Sequence, residues 1–167
     1  MADMETMILN KTEIAHKIKR MAYQIYEANV SEDEVIIAGI QSNGYVLAEK
    51  LKRVVEKISP LKVKLCKVKI NKKEPLAPIT TSLSAENYTN GSLILVDDVL
   101  HSGTTLIYAV KHFLNVPLKQ FKTAVLVDRN HKKYPVKADF KGISLSTSIS
   151  ENVSVIFERG NDRAILE

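Results

Sequence analysis

The sequence predicts an α/β fold in which a central, mostly parallel sheet is flanked by helices. Short uninterrupted apolar runs are typical of strands that are buried on both faces, as in parallel sheets. Segments with apolar residues at helical spacing lie between these runs. The runs are 35–40, 93–96 and 123–127, and the helical segments are 11–29, 47–58 and 106–114. With 167 residues, the chain is long enough for one domain around one core.

Composition narrows the class of protein further. The chain is 45% apolar and 26% charged, as expected for a globular protein that is not embedded in a membrane. It contains no apolar run that could span a bilayer and no signal-peptide pattern at its start, so we expect a cytoplasmic protein without a membrane partner. The single cysteine, Cys66, excludes an internal disulfide and is expected to be a small buried hydrophobe.

The first two units of the chain are a helix and then a strand–loop–helix unit. Asn10 and Glu13 have the spacing of a capping box at the start of the helix 11–29. The strand 35–40 is followed by the polar loop Gln41–Gly44 and a helix that runs to Ile58. A helix N-terminus after such a loop can bind an anion, although an ordinary strand-to-helix turn would have the same pattern.

The next segment, 61–70, is a predicted strand whose apolar alternation changes phase. Val63 and Leu65 share one face and Cys66 and Val68 the other, which indicates either a bulge or a strand that is partly buried on both faces. Its lysines fit a solvated edge strand or a surface that binds polyphosphate or RNA. These lysines, with the two that follow the strand, are Lys62, Lys64, Lys67, Lys69, Lys72 and Lys73. The segment 71–90 then lacks periodicity, which is typical of a functional or mobile loop.

The stretch 93–105 has the clearest chemical meaning. A buried strand ends in Asp97 and Asp98, and a small-residue turn leads into the helix 106–114. Ser102–Thr105 would let a phosphate approach a helix N-terminus, and the carboxylates would bind sugar hydroxyls or Mg²⁺. The simpler alternative is that Ser102 and Thr104 merely cap the helix while the two aspartates are solvated.

This stretch resembles the phosphoribosyl pyrophosphate (PRPP) motif of the type I phosphoribosyltransferases. The segments 124–131 and 134–142 are similar to those of the PyrR group, regulators of pyrimidine operons that also act as uracil phosphoribosyltransferases. The resemblance implies a single-domain type I phosphoribosyltransferase fold over 1–167. The core would span about 30–130, and a small hood would come from about 1–10 and 138–167. It also implies a homo-oligomer, a dimer or tetramer.

The implied reaction is the Mg²⁺-dependent transfer of 5-phosphoribose from PRPP to a nucleobase, with uracil favoured and pyrophosphate released. Two alternatives stay open: a regulator that senses PRPP or a nucleotide, binds RNA and catalyses weakly or not at all, and a purine phosphoribosyltransferase. In each case the segment 71–90 would be the lid over PRPP, with Lys72 and Lys73 as its charges nearest the ligand.

The resemblance also assigns roles to individual residues. Asp97 and Asp98 would act in catalysis by binding the ribose hydroxyls and the metal. The 5-phosphate would be bound by His101, Ser102, Gly103, Thr104 and Thr105, and the pyrophosphate by Gln41, Ser42, Asn43 and Gly44. The base would contact Ile143, Leu145 and Arg129, unless Asp128 and Arg129 simply form surface ion pairs.

Two of these positions differ from the family pattern. His101 stands where other members carry an acid or an aromatic residue, so it would either relay a proton or pack the loop. The loop 41–44 has no arginine or lysine, whereas PyrR-like loops usually carry one. Pyrophosphate would then be bound by backbone N–H groups, Mg²⁺ and lysines from elsewhere in the chain.

Overall fold

The computed structural model describes residues 5–146, 148 and 151–167 and contains three α-helices and two sheets in these ranges. The helices are α1 (Lys11–Ala28), α2 (Asn43–Ile58) and α3 (Thr104–Phe113), with a short 3₁₀ helix at Ala85–Asn87. The strands are β1 (Thr6–Leu9), β2 (Glu34–Ile40), β3 (Lys62–Lys69), β4 (Thr80–Thr81), β5 (Ser92–Leu100), β6 (Gln120–Asp128), β7 (Phe140–Ser144), β8 (Val153–Ile156) and β9 (Arg163–Leu166).

The main sheet has the strand order β4-β3-β2-β5-β6-β7, and every neighbouring pair except β3–β4 is parallel. Successive residues of β2 are buried on opposite faces of the sheet. Ile37 packs with α1 and α2 on one face, whereas Ile36 packs with α3 on the other. This two-sided burial explains the uninterrupted apolar runs and confirms the predicted α/β class.

The first helix forms as its capping box predicts. The Asn10 side chain accepts a hydrogen bond from the Glu13 N–H at 2.8 Å, and the Glu13 carboxylate accepts one from the Asn10 N–H at 3.1 Å. Its buried residues are Ile14, Ile18, Met21, Ala22 and Ile25. In the described ranges no helix is long and apolar enough to cross a membrane.

The change of phase in β3 comes from burial on both faces and not from a bulge. Its pairing with β2 runs without a register shift from Glu34–Lys62 to Ile40–Val68. Val63 packs on the side of α1 and α2, while Cys66 packs on the side of α3. Cys66 is fully buried, and this burial raises the pKa of its thiol.

The two ends of the chain form the second, antiparallel sheet, in the order β1-β9-β8. We expected the hood to include the chain from about residue 138, but β7 is the sixth strand of the main sheet, parallel to β6. Among the described residues of the C-terminal part, the small sheet therefore contains β8 and β9 but not β7. Residues 1–4, 147, 149 and 150, which fall within the predicted hood segments, lie outside the described residues.

The segment 71–90 is partly ordered into secondary structure. β4 pairs with the end of β3, and Tyr88 is buried with its ring centroid 5.1 Å from that of Phe113 in α3. Its second half is therefore part of the domain. Residues 71–79 form a loop in which Asn71 and Pro78 line a cavity with Gln41, while Pro75–Ala77 line another with residues of α3.

Candidate active site

The predicted site residues lie where the topology of the main sheet reverses. From β2 the chain passes through α2 to β3 on one side, and from β5 it passes through α3 to β6 on the other. Open α/β sheets bind ligands at such a switch point, beyond the carboxyl ends of the strands. The helices α2 and α3 both begin at this edge, on opposite faces of the sheet.

The paired carboxylates belong to β5 itself, which continues through them to Leu100. Asp97 is only 5% exposed, and its Oδ1 accepts a hydrogen bond from the Asp98 N–H at 2.9 Å. Burial and the neighbouring Asp98 raise the pKa of Asp97 well above its ordinary value. Lys72, whose half-exposed side chain places Nζ 4.0 Å from Asp97 Oδ2, opposes this shift but contributes less than burial and Asp98. The site therefore favours a cation or hydroxyl donors at Asp97.

The turn between β5 and α3 is shaped by Gly103, which has a φ of +88° and is the N-cap residue of α3. Ser102 Oγ and Thr104 Oγ1 are 2.9 Å apart, and Ser102 Oγ accepts a long hydrogen bond of 3.3 Å from the Thr104 N–H. Capping by Ser102 therefore reaches only this first N–H group, since Gly103 has no side chain to cap the next ones. Those later N–H groups of the first turn are available to a ligand.

This turn borders a cavity of about 220 Å³. The cavity brings together every residue predicted to bind the 5-phosphate and one of the two carboxylates. Its lining residues are Lys72, Asp97, Val99, Leu100, His101, Ser102, Gly103, Thr104, Thr105, Leu106 and Val125. Hydroxyls, a helix N-terminus and a lysine face the same space, which is suited to a phosphate beside a sugar.

His101 is exposed at the rim of this cavity. Its ring centroid lies 6.2 Å from that of His131. Partial burial, and then the nearby charges of Arg129, His131 and Lys133, lower the pKa of His101. The lowered pKa favours the neutral form of the imidazole.

The segment 41–44 is shorter as a loop than predicted, because α2 already begins at Asn43. The peptide bond between Gln41 and Ser42 is cis. Asn43 donates hydrogen bonds to Asp98 Oδ2 at 3.1 Å and to the Val155 carbonyl at 2.8 Å. Asn43 therefore connects the first turn of α2 to the carboxylate pair and to the small sheet.

Gly44 allows α2 to approach β5 closely. A Cβ at this position would lie 2.7 Å from the Val96 carbonyl oxygen and 3.0 Å from Asp97 Cα, which are both backbone atoms. A side chain at position 44 would therefore push the helix away from the aspartates. The two predicted binding segments come together at one sheet edge through this contact.

Gln41 and Ser42 line a different cavity, of about 470 Å³. Its other lining residues are Lys69, Ile70, Asn71, Pro78 and Thr80. The structure thus places the predicted phosphate and pyrophosphate segments in adjacent parts of one edge and not in a single pocket.

The residues predicted to contact the base are the ones least connected to these cavities. Arg129 is 3% exposed, and its guanidinium donates hydrogen bonds to the carbonyl oxygens of Ser148 and Glu151. Its partner in sequence, Asp128, is also buried, and it forms an ion pair with the half-exposed Lys141, whose Nζ lies 3.8 Å from Asp128 Oδ2. Ile143 and Leu145 are partly buried and pack against the core on the side of α1 and α2.

Two lysines from other segments line these cavities. Lys72, which is expected to be a lid charge near the ligand, lines the cavity beside Asp97. Lys69 belongs to the lysine cluster that fits either a solvated edge strand or a surface that binds polyphosphate or RNA, and it lines the cavity of Gln41 and Ser42. Its place at the carboxyl end of β3, two residues after Lys67, is the sequence signal that could have identified it.

A parallel sheet with a carboxylate pair and two helix N-termini at its switch point defines a class of α/β protein that binds phosphorylated ligands. Comparison with known proteins gives the family: residues 4–157 match the family described as phosphoribosyl transferase domain. The chain therefore belongs to the phosphoribosyltransferase family, as its resemblance predicted, and is a phosphoribosyltransferase by that membership.

The chain is also similar to curated proteins named bifunctional protein PyrR. It is 30% identical over 167 residues to the one from Staphylococcus saprophyticus, covering 95% of each chain. It is 35% identical over 161 residues to that of Corynebacterium glutamicum, covering 89% of this chain and 84% of the relative.

A solved hypoxanthine-guanine phosphoribosyltransferase from Bacillus anthracis has the same fold. Its TM-score is 0.71 at 20% identity, with 84% of this chain and 82% of the other covered.

Proposed function

We propose that this protein transfers 5-phosphoribose from PRPP to a ring nitrogen of a nucleobase, with uracil as the favoured acceptor, and releases pyrophosphate. The observation that carries this proposal is the cavity at the end of β5. There a buried carboxylate, hydroxyls and a helix N-terminus that begins at a glycine face one space. Similarity to PyrR proteins over most of the chain supports uracil as acceptor.

Each end of PRPP has a proposed place at the sheet edge. The 5-phosphate would accept hydrogen bonds from the turn Ser102–Thr105, and Asp97 and Asp98 would accept hydrogen bonds from the ribose hydroxyls. The pyrophosphate would lie beside Gln41 and Ser42 at the start of α2. Holding both ends fixes C1 between the two loops, so catalysis would come mainly from positioning and charge stabilisation.

The donor set of the site fits Mg²⁺. Two neighbouring carboxylates offer hard oxygen ligands, and Mg²⁺ is usually bound by one or two carboxylates together with waters and substrate phosphates. Among the described residues, no group of three or more His, Cys, Asp or Glu side chains could hold a metal without the substrate. We propose that Asp97 and Asp98 hold Mg²⁺, which would neutralise charge on the pyrophosphate leaving group.

For His101 the proposed role is a proton relay at the base. Its pKa is lowered by partial burial and nearby positive charge, so the neutral ring could accept a proton at neutral pH. Ile143, Leu145 and Arg129 stay as proposed base contacts, with Arg129 acting through the backbone of residues 148 and 151 that it binds.

The test is release of pyrophosphate from PRPP and Mg²⁺ with uracil, hypoxanthine, guanine or adenine in separate reactions. The Asp97→Asn/Asp98→Asn double variant is the blank. We expect uracil-dependent release that the blank lacks, and a His101→Gln variant whose pH profile loses its acid limb. Release with a purine alone would make the protein a purine phosphoribosyltransferase. Thermal stabilisation by PRPP without release with any base would favour the regulator.

A further inference from the structure

We propose that Lys69, supported by Lys67, provides the positive charge that binds the pyrophosphate of PRPP. This inference rests on the proposed function and names a binding residue that the loop 41–44 itself does not contain. That loop consists of Gln41, Ser42, Asn43 and Gly44, so none of its side chains carries charge.

The two lysines are placed beside that loop by the sheet. The Gln41 N–H donates a hydrogen bond of 2.9 Å to the Val68 carbonyl, which fixes the loop against the end of β3. Lys67 and Lys69 flank Val68 and, being two residues apart, project from the same face of the strand. Lys67 Nζ lies 4.7 Å from the ring centroid of Tyr45 in α2, so this is the face on which α2 begins.

The cavities at this place are lined by cations and neutral groups. One, of about 360 Å³, is lined by Gln41, Lys67, Lys69, Thr80, Thr81 and Ser82. The larger cavity that Gln41 and Ser42 line also contains Lys69. Neither lining includes a carboxylate, and neither lysine forms an ion pair with a described residue. The positive charge is therefore uncompensated in the place where a pyrophosphate would bind.

Protection of an exposed strand edge does not explain these two lysines. Thr80 and Thr81 of β4 pair with Lys69 and Val68, and Ser82 exchanges hydrogen bonds with the Lys67 backbone. At this end β3 thus has a neighbour on each side. The edge explanation applies instead to Lys62 and Lys64, which precede the part of β3 that β4 covers.

The experiment compares binding of two halves of PRPP by calorimetry. The probes are inorganic pyrophosphate with Mg²⁺ and ribose 5-phosphate, which lacks the pyrophosphate. We expect Lys69→Gln to weaken pyrophosphate binding about tenfold, the effect of losing one hydrogen bond to a charged group. The Lys67→Gln/Lys69→Gln variant should weaken it further, whereas ribose 5-phosphate binding should stay at the wild-type level. Lys69→Arg should restore most of the pyrophosphate affinity.

Lys62→Gln is the matched control, because it removes the same charge from the same strand about 23 Å away. Unchanged pyrophosphate binding in Lys69→Gln, or an equal loss for ribose 5-phosphate, would overturn the inference while wild-type turnover still supported the proposed function. A wild-type protein that neither releases pyrophosphate nor binds PRPP would remove the proposed function itself. If the variants lost only binding to RNA, this surface would be a nucleic-acid site instead.

Discussion

Two strand–loop–helix units meet at the centre of this sheet, and they build their binding surfaces in different ways. After β5, the turn 101–103 and the start of α3 provide hydroxyls, N–H groups and a left-handed glycine from consecutive residues. After β2, the loop 41–42 provides neutral side chains only. Its charge comes from Lys69 on β3, and its contact with the carboxylates comes from Asn43 on α2. The first site is local in sequence, and the second is assembled from separate segments.

The difference determines what a change in each unit should do. In the assembled unit, the geometry depends on how closely two elements approach, so a single methyl group can disturb it. In the local unit, the geometry depends on one backbone conformation. One substitution can test the close approach of two elements, and another can test the backbone conformation of the turn. A third substitution can test Asp97, the carboxylate at which the two units meet.

The largest effect is expected for Gly44→Ala, which tests the assembled unit. The added Cβ would meet the backbone of Val96 and Asp97 at 2.7 and 3.0 Å, and backbone cannot rotate away as a side chain can. We expect a loss of about 1–3 kcal/mol in the free energy of unfolding. Turnover should fall at least about 100-fold, because the start of α2 would move away from the aspartates.

Measurement of kcat and of chemical denaturation on the same sample checks this prediction. Ala48→Gly, in the next turn of α2, is a suitable control for general damage to the helix, since it lowers helix stability without any collision. If Gly44→Ala retains wild-type turnover, the close approach of α2 to β5 does not position the substrate.

A smaller effect is expected for Gly103→Ala, which tests the local unit. Position 103 has a φ of +88°, and a Cβ there would also lie 2.7 Å from Val136 Cγ1. Left-handed backbone costs an L-residue about 1–2 kcal/mol. Because the Val136 side chain can shift, we expect about a tenfold loss of ribose 5-phosphate binding rather than an inactive protein.

Gly160→Ala is the matched control for that variant. Gly160 has a φ of +82°, but a Cβ added there would meet no atom within 4 Å, so this substitution introduces the backbone strain without a collision. Both variants should lose stability, and only Gly103→Ala should lose affinity for the phosphate. Equal affinities in the two variants would mean that the turn 101–103 tolerates distortion when it binds a phosphate.

The same contrast explains what could be predicted from sequence. The order of elements around the turn after β5 is predictable because strand, carboxylates, glycine and helix follow one another within a short stretch, Leu93–Thr105. The two-sided core is predictable from uninterrupted apolar runs such as Val35–Ile40. The resemblance to the phosphoribosyltransferase family comes from the residues of Leu93–Thr105, and the match of residues 4–157 to that family confirms it.

Features that depend on contacts between distant segments could not be predicted. Lys69 lies 28 residues beyond Gln41 in the chain, and only the pairing of β2 with β3 brings them together. The hydrogen bond from Asn43 to Asp98 spans 55 residues. The family resemblance places β7 in the hood, and only its pairing with β6 shows that it extends the main sheet. Arg129 could not be recognised as buried, since its partners are backbone carbonyls.

The smallest expected effect concerns Asp97, where the two units meet, and it is an increase in stability. Burial and Asp98 raise the folded-state pKa of Asp97, so the folded chain binds this proton more tightly than the unfolded chain does. Stability is therefore lost as the pH rises from the ordinary carboxyl range through the raised pKa. Asp97→Asn removes this loss and should melt higher than wild type at neutral pH without Mg²⁺. The melting temperature should rise by roughly 2–4 °C for each kcal/mol by which the substitution increases the free energy of unfolding.

Melting curves across pH check the sign of this effect. The advantage of Asp97→Asn should shrink as the pH falls into the ordinary carboxyl range, where wild-type Asp97 is protonated as well. Asp33→Asn, which changes an exposed aspartate just before β2, should show no such gain. A variant that is inactive yet more stable would mean that the carboxyl group of Asp97 serves binding and not folding. If Asp97→Asn melts lower than wild type at neutral pH, the carboxylate is instead a structural support that joins the two units.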